Sequence, residues 1–539
     1  MNRSFPRGGA AGLALALALT GCQAAPAPTS TPSPSAASSC PELAVRIVDA
    51  VQRYVDSFAD VTASGVGGAV SARQADFGAQ TSALRQRGEE LGCQPSALAE
   101  LIRAEVPRLT GGTPVQDAVA NGFKADPLGA TDPTDLAPTD TLVSTAQELL
   151  TAISAAGSGS TVRLAAGTYA LGAPLVLLRP ITLIGAGKGA DGVAQTLITS
   201  AAGGATLIAA TSGNLTLTDL AITHVGNNPA SVLIVAGGGY RFERLRVAGG
   251  VASKGAGGYG IVLRPSSGPL TPTGDARVLT DVVVSGNDGG GIVVAGNEAP
   301  TISRARVTGK DGCGLCWVEE AAGVVLDSQV TGTRVGLRID NAAAPKITGI
   351  RVLHSEVGAA LTGSGSPSIE ESTFSGSAIG IQATGSGAPL FTGNQVLGSR
   401  EIGIRLSGSS RTTLTDNRVA GATKVGIATL AKASSQIIAG EVTSTGDVGL
   451  IWGETATGSA EGAIVRGPKL GVQLASAVEV DLSDLVIDRS SAAALLADGT
   501  SKGTISRLTC GKGEGANVVL AGKTRVELVD SPSCTKRRP

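Results

Sequence analysis

A glycine followed by an aliphatic residue returns at Gly291, Gly314, Gly336, Gly358, Gly380, Gly403, Gly426, Gly449 and Gly471, at intervals of 23, 22, 22, 22, 23, 23, 23 and 22 residues. That period is shorter than the thirty-odd residues of helical repeats, and each unit carries β-branched runs broken by Gly, Ser, Asn and Asp, as a coil of short strands and turns requires. One and three residues after the glycine the chain is apolar: Ile292 and Val294, Leu315 and Trp317, Leu337 and Ile339, Ile404 and Leu406, Leu450 and Trp452, Val472 and Leu474. The period of two puts both inside. Between them stand Val293, Cys316, Arg338, Gln382, Arg405 and Gln473, a mixed set suited to an outer face. A second strand ends sixteen residues after the glycine, at Val307, Val330, Val352, Phe374, Val396, Val419, Val442, Val465 and Ile487. The chain is therefore mainly β, a parallel solenoid of 22–23-residue rungs.

Formal charge is −1, from 43 basic and 44 acidic side chains. There is no basic excess to drive nucleic-acid binding through counterion release, so no nucleic-acid partner is expected. Aromatic residues make up 2%, which counts against a sugar cleft paved with stacking rings. Arg3 and Arg7 precede an apolar run, Ala10 to Leu19, too short to span a bilayer and patterned as an export signal. It ends in Leu19-Thr20-Gly21-Cys22, which resembles the bacterial lipobox. The resemblance implies lipidation at Cys22 and an exported, membrane-anchored lipoprotein of the cell envelope or surface. Without Cys22 the remaining cysteines are Cys40, Cys93, Cys313, Cys316, Cys510 and Cys534, an even set suited to an oxidising compartment. Fifteen connectivities are open; proximity along the chain favours Cys40 with Cys93, Cys313 with Cys316, and Cys510 with Cys534.

Residues 1–22 form the signal peptide, and 23–39, nearly all Ala, Pro, Ser and Thr, form an extended tether. Residues 40–109 carry helical periodicity, with Leu43, Ile47, Val51, Tyr54, Val55 and Phe58 on one face of a first helix. Further helical stretches follow over Ser71–Leu91 and Ser96–Val106, and together they make a small α-helical module. Residues 110–140 are a linker, and 141–539 the solenoid. In its opening segment Leu149, Leu150, Ile153 and Ala156 give an amphipathic helix, followed by a strand from Thr161 to Tyr169. That helix, the Gly167-Thr168-Tyr169 turn and the run Ile181-Thr182-Leu183-Ile184-Gly185 resemble the start of right-handed parallel β-helix proteins of the pectate-lyase-like superfamily. The resemblance implies a right-handed coil capped by the helix, and an activity on acidic polysaccharide wherever the family's acids, cations and histidines are present.

Those residues are sparse. His224 and His354 lack the partner spacing of any motif of that superfamily's enzymes and read as solvated turn histidines. Thirteen residues after the repeat glycine runs the column Arg304, Asp327, Gly349, Glu371, Gly393, Asp416, Ala439, Gly462 and Asp484. Asp327, Glu371 and Asp416 occupy alternate rungs, ~9.6 Å apart if stacked, just beyond the separation of an inverting acid pair. They are the candidate catalytic residues, or else a calcium ladder. The competing reading is turn chemistry, since Asp, Gly and Asn tolerate left-handed backbone. Asn394 and Asn417, one position on, resemble the asparagine ladders of this fold. Cys313-Gly314-Leu315-Cys316 has redox or half-zinc spacing without a second pair or a nearby His, and no metal site is expected. Gly185-Ala186-Gly187-Lys188 lacks the spacing of a phosphate loop. Arg338 and Arg405 share an outward column with Gln382 between; Arg306, Arg351 and Arg418 mark another strand. The 31-residue gap from Gly260 to Gly291, with Pro265, Pro269 and Pro272, marks a projecting loop where specificity is often added. Two functions are left by these observations. One is a lipid-anchored, non-catalytic surface rod that binds a glycan or an envelope protein, with no cofactor; the other is a polysaccharide lyase, hydrolase or epimerase.

Overall fold

The computed structural model describes residues 37–57, 59, 77, 80, 83–84, 86–112, 116, 120, 123–124, 138–189, 192–211, 213–253, 256–265, 276–443, 445–511 and 517–537. The lipobox with Cys22, the tether to residue 36, Phe58, much of the Ser71–Leu91 stretch, most of the 110–140 linker, and Pro269 with Pro272 lie outside the described residues. The chain divides into two compact units, residues 1–240 with 253–257 and 266–275, and residues 241–252, 258–265 and 276–539.

In the first unit, a helix spans Cys40–Asp56 because its start is doubly capped. The Ser39 hydroxyl accepts from the Glu42 amide, and the Glu42 carboxylate accepts from the amide and hydroxyl of Ser38. Those bonds from Ser38 hold the Glu42 carboxyl below its ordinary range. Its buried face, Leu43, Val48, Val51, Tyr54 and Val55, packs in part against Ile102, Val106 and Leu109 at and beyond the end of a second helix, Pro95–Glu105. A disulfide joins Cys40 to Cys93.

The same capping device recurs at Thr145, whose hydroxyl accepts from the Glu148 amide and starts the helix Ala146–Ala155. Leu149 is buried there, whereas Leu150, expected on the apolar face, is 44% exposed. The strand expected over Thr161–Tyr169 is two strands, Thr161–Leu164 and Gly167–Leu171, with Ala165-Ala166 between them. Tyr169 fixes this turn, its hydroxyl donating to the Val143 carbonyl. Parallel pairing then steps from Asp140–Val143 to Thr161–Leu164, Thr182–Ile184 and Leu215–Thr218.

The second unit is the regular coil. Each rung contributes a five-residue strand containing the repeat glycine (sheet 1), a strand ten or so residues on (sheet 2), and, after a tight turn, a third (sheet 3). For one rung these are Ile402–Leu406, Arg411–Thr415 and Arg418–Ala420. Each strand pairs in parallel with its equivalent one rung away, as Ile404 with Ile381 and Ile427, Leu414 with Phe391 and Ile437, and Val419 with Val396 and Val442. The apolar columns expected inside are buried throughout, Leu337, Ile404 and Val472 among them. Like residues stack on like, so each rung closes the hydrophobic face of the last.

The repeat glycine has a steric cause. A Cβ on Gly403 would lie 2.3 Å from Val419 Cγ1 and 2.6 Å from the Gly426 carbonyl oxygen; Gly336, Gly380, Gly426 and Gly449 meet their own rung's valine and the next rung's carbonyl in the same way. The glycine column and the valine column sixteen residues later are therefore two sides of one contact, closing the coil where sheet 3 returns to sheet 1.

The tight turn between sheets 2 and 3 has a different cause. Arg304, Asp327, Gly349, Glu371, Gly393, Asp416, Ala439, Gly462 and Asp484 all have φ between 46° and 68°. One position on, side chains turn inward. Asn394 Nδ2 donates to Asn417 Oδ1 and to the Ile369 carbonyl, while Asn394 Oδ1 accepts from the Ser372 amide. Asn417 Oδ1 also accepts from the Asn394 amide. The ladder supplies partners to buried backbone groups that the turn leaves unpaired.

Candidate functional site

Asp327, Glu371 and Asp416 are exposed and sit at the left-handed position of that turn, on alternate rungs. Among the described residues, Glu371 and Asp416 make no side-chain hydrogen bond or ion pair. No cleft gathers them: neighbours in the set are two strand spacings apart, ~9.6 Å. Elsewhere in the column carboxylates are matched by arginines, Arg304 clamping Asp281 and Arg507 clamping Asp484 across one rung. Among the described residues there is no group of three or more His, Cys, Asp or Glu that could hold a metal.

The two histidines separate. His354 is exposed at a turn with φ 55°, as a solvated turn histidine would be. His224 is not solvated: it is 3% exposed, its Nε2 bonded to the Asn228 carbonyl and its Nδ1 buried without a hydrogen-bond partner. The reason is that Ala221–His224 pairs in register with Leu197–Ser200, and alternation from the buried Ile222 turns His224 inward as well. Cys313 and Cys316 are disulfide-bonded to each other, and Cys510 to Cys534. Cys316 and Val293 lie in the outward column, as expected, and are buried there in a cluster with Cys313 that Tyr259, Val318 and Val335 flank. The Gly185–Lys188 loop is closed by a bridge from Lys188 to Ala194 and leads to the strand Thr196–Ser200. Beside Pro265, burial lowers the pKa of the Arg264 guanidinium, one of whose terminal nitrogens is buried and unbonded.

The outer face of sheet 1 gathers the polar groups that remain. Register places Arg338, Ala360, Gln382 and Arg405 in one outward column, so the two arginines stand three strand spacings, ~14 Å, apart. Asp340 holds Arg338 through its Nε at 2.6 Å and in turn accepts from the Thr362 hydroxyl. The Arg405 side chain makes no hydrogen bond or ion pair among the described residues, and its Nε is shut away from solvent. Beside this column runs one that sequence reasoning missed: Val335, Val357, Ile379, Ile402 and Val425, half-buried on the outer face immediately before each repeat glycine. Its signal was in plain view, a β-branched residue preceding glycine rung after rung. The face thus offers a flat apolar strip bordered by a free guanidinium, a fixed ion pair and an amide.

Residues 316–464 match the family model of the right-handed β-helix region. No curated protein matches the sequence. Similar solved structures include the catalytic unit of an α-1,3-glucanase from Streptomyces thermodiastaticus (TM-score 0.32, 14% identity, 76% of this chain and 68% of that one) and tailspike protein 3 of bacteriophage CBA120 (0.30, 13%, 70% and 56%). An alginate lyase from Paenibacillus sp. aligns with TM-score 0.24 and 11% identity over 73% of this chain and 98% of that one. The chain spans little more than half of the tailspike protein, and no residue's role passes from any of the three. The described residues thus form a parallel β-helix of three ladders, and residues 316–464 within it carry the pattern of the right-handed β-helix region.

Proposed function

We propose that this β-helix is the ligand-holding part of an exported envelope lipoprotein, anchored through Cys22, that retains a polysaccharide on its outer surface without cleaving it. The observation that carries the reading is the outer face of sheet 1. Arg405 is a cation without a partner, Gln382 supplies donor and acceptor at the next rung, and the Val357, Ile379 and Ile402 strip offers the apolar contact that the C–H faces of a sugar seek. Catalysis would need an acid and a base converging on one bond. Asp327, Glu371 and Asp416 each take the left-handed position of a turn, on alternate rungs ~9.6 Å apart, an arrangement that favours retention over cleavage.

Incubation with pectate, alginate and neutral glucans, with and without calcium, tests the reading. Retention of intact polymer, weakened by Arg405→Gln, is expected. Release of unsaturated or reducing-end products that disappears in Asp327→Asn, Glu371→Gln or Asp416→Asn would replace it with a lyase, hydrolase or epimerase. Labelled palmitate incorporated by the wild type and absent from Cys22→Ser tests the anchor.

A further inference from the structure

Sheet 3 of the second unit carries one outward column that the function above leaves unused: Arg246, Val283, Arg306, Gln329, Arg351 and Thr373, each in register with the next. Arginine returns at every second rung, ~9.6 Å apart. Among the described residues Arg246, Arg306 and Arg351 make no ion pair or side-chain hydrogen bond. The companion outward column, Ala248, Ser285, Thr308, Thr331, Leu353 and Ser375, contains no acid. The turn before each strand alternates as well. Arg244, Arg304 and Gly349 precede the arginine rungs, whereas Asp281, Asp327 and Glu371 precede the rungs of Val283, Gln329 and Thr373. Asp281 is held by Arg304 across one rung, so the alternation stands on the Gln329 and Thr373 rungs, where a cationic rung is followed by one that presents Asp327 or Glu371 beside a neutral polar side chain.

We propose that this column is a track for a linear glycan lying along the coil, in which a carboxylate-bearing sugar alternates with a neutral one; the proposal rests on the polysaccharide reading above and names the ligand's chemistry. A pyranose advances an extended glycan by a distance close to one strand spacing. Charged sugars then fall on the arginine rungs, and hydroxyls of the neutral sugars fall where carboxylate and amide oxygens accept their hydrogen bonds. A DNA duplex is a poor fit, carrying one charge per ~1.7 Å of axis against one arginine per ~9.6 Å. A lipid surface presents a plane of headgroups, to which one column of arginines gives no reason for alternation.

The test is calorimetric titration of the full chain with hyaluronan, which carries one carboxylate per disaccharide, with carboxyl-reduced hyaluronan, with polygalacturonate, with duplex DNA and with phosphatidylglycerol vesicles. Hyaluronan is expected to bind best. Arg306→Gln with Arg351→Gln should weaken it roughly a hundredfold, about tenfold per charge-assisted contact, with unchanged melting because both side chains are exposed. Arg351→Lys should retain part of the affinity. Equal affinity for the carboxyl-reduced polymer, preference for polygalacturonate, DNA or vesicles, or no effect of the double variant would overturn the track. Hyaluronan binding lost in Arg338→Gln/Arg405→Gln but not in the sheet 3 variant would leave the proposed function standing on sheet 1 alone. Absence of binding to every polymer would end both.

Discussion

Glycine recurs in two columns of the coil, for opposite reasons. Along sheet 1, Gly336, Gly380, Gly403, Gly426 and Gly449 have unremarkable backbone angles and no room for a Cβ. At the turn leaving sheet 3, Gly332, Gly376, Gly398, Gly421 and Gly467 have φ between 59° and 84°, and at Gly398 no atom lies within 4 Å of the missing Cβ. The first column is a packing constraint and the second a conformational one. Only the second can be filled by another residue, as His354 and Arg489 show by taking it with φ 55°. A column that admits histidine and arginine can carry surface chemistry; a column pressed against valine and carbonyl oxygen cannot.

The sharpest way to break this contrast is alanine in the first column. In Gly403→Ala the new methyl meets Val419 Cγ1 and the Gly426 carbonyl oxygen. The expected loss is upwards of about 3 kcal/mol, at the high end of overpacking because a sheet backbone cannot retreat as a side chain can. Urea denaturation reads it. Adding Val419→Ala removes the side-chain clash and leaves the backbone one, so the double variant should recover only part of the loss. Full recovery would show that the valine alone excludes a side chain there.

The sheet 1 glycine column and the valine column sixteen residues later were both visible in the sequence as periods, yet their contact was not. Gly403 and Val419 are sixteen residues apart, and nothing in either dictates that the chain closes between them; that follows from the angles of two intervening turns. The acid column was legible in the same partial way. Period placed Asp327, Glu371 and Asp416 together, and Asp with Gly at equivalent positions pointed to left-handed backbone, which all three adopt. His224 was misread because strand alternation was not carried past Ile222 to the end of the strand. Val293 and Cys316 do lie in the outward column, yet Tyr259, Val318 and Val335 pack against them, because outward from the coil is not the same as exposed.

Next in size is the asparagine ladder. Asn394→Ala removes an acceptor for the Ser372 amide and a donor to the Ile369 carbonyl, both buried. About 2 kcal/mol is expected, the cost of orphaning buried polar groups, with faster amide exchange at Ser372. A loss below a few tenths would mean that water replaces the amide without penalty.

The conformational column should respond more mildly. Gly398→Ala is expected to cost about 1 kcal/mol, the penalty of left-handed backbone for an L-residue, and so markedly less than Gly403→Ala. At the neighbouring turn Asp416→Gly should stay within about 1 kcal/mol of wild type, strain relief offsetting the added freedom of the unfolded chain. The same variant separates structure from chemistry: polymer retention should persist in it, whereas a catalytic Asp416 would not survive loss of its carboxylate.

The smallest effect is expected from the charges that decorate the turn between sheets 2 and 3. Hydrogen bonds from Arg507 hold the Asp484 carboxyl below its ordinary range, and the same bonds raise the Arg507 guanidinium. Because the folded pKa of Asp484 is depressed, its contribution to stability is present above the unfolded value, near 4, and is lost as pH falls through the folded one. Both side chains are solvent-exposed, so screening leaves little of that contribution at physiological salt. An NMR titration should find the Asp484 carboxyl returning to its ordinary range in Arg507→Ala, with the melting temperature near pH 7 hardly changed. A large fall in melting temperature would mean that these arginines brace the turn, and that its left-handed residue is held by its partners rather than chosen for its own backbone tolerance.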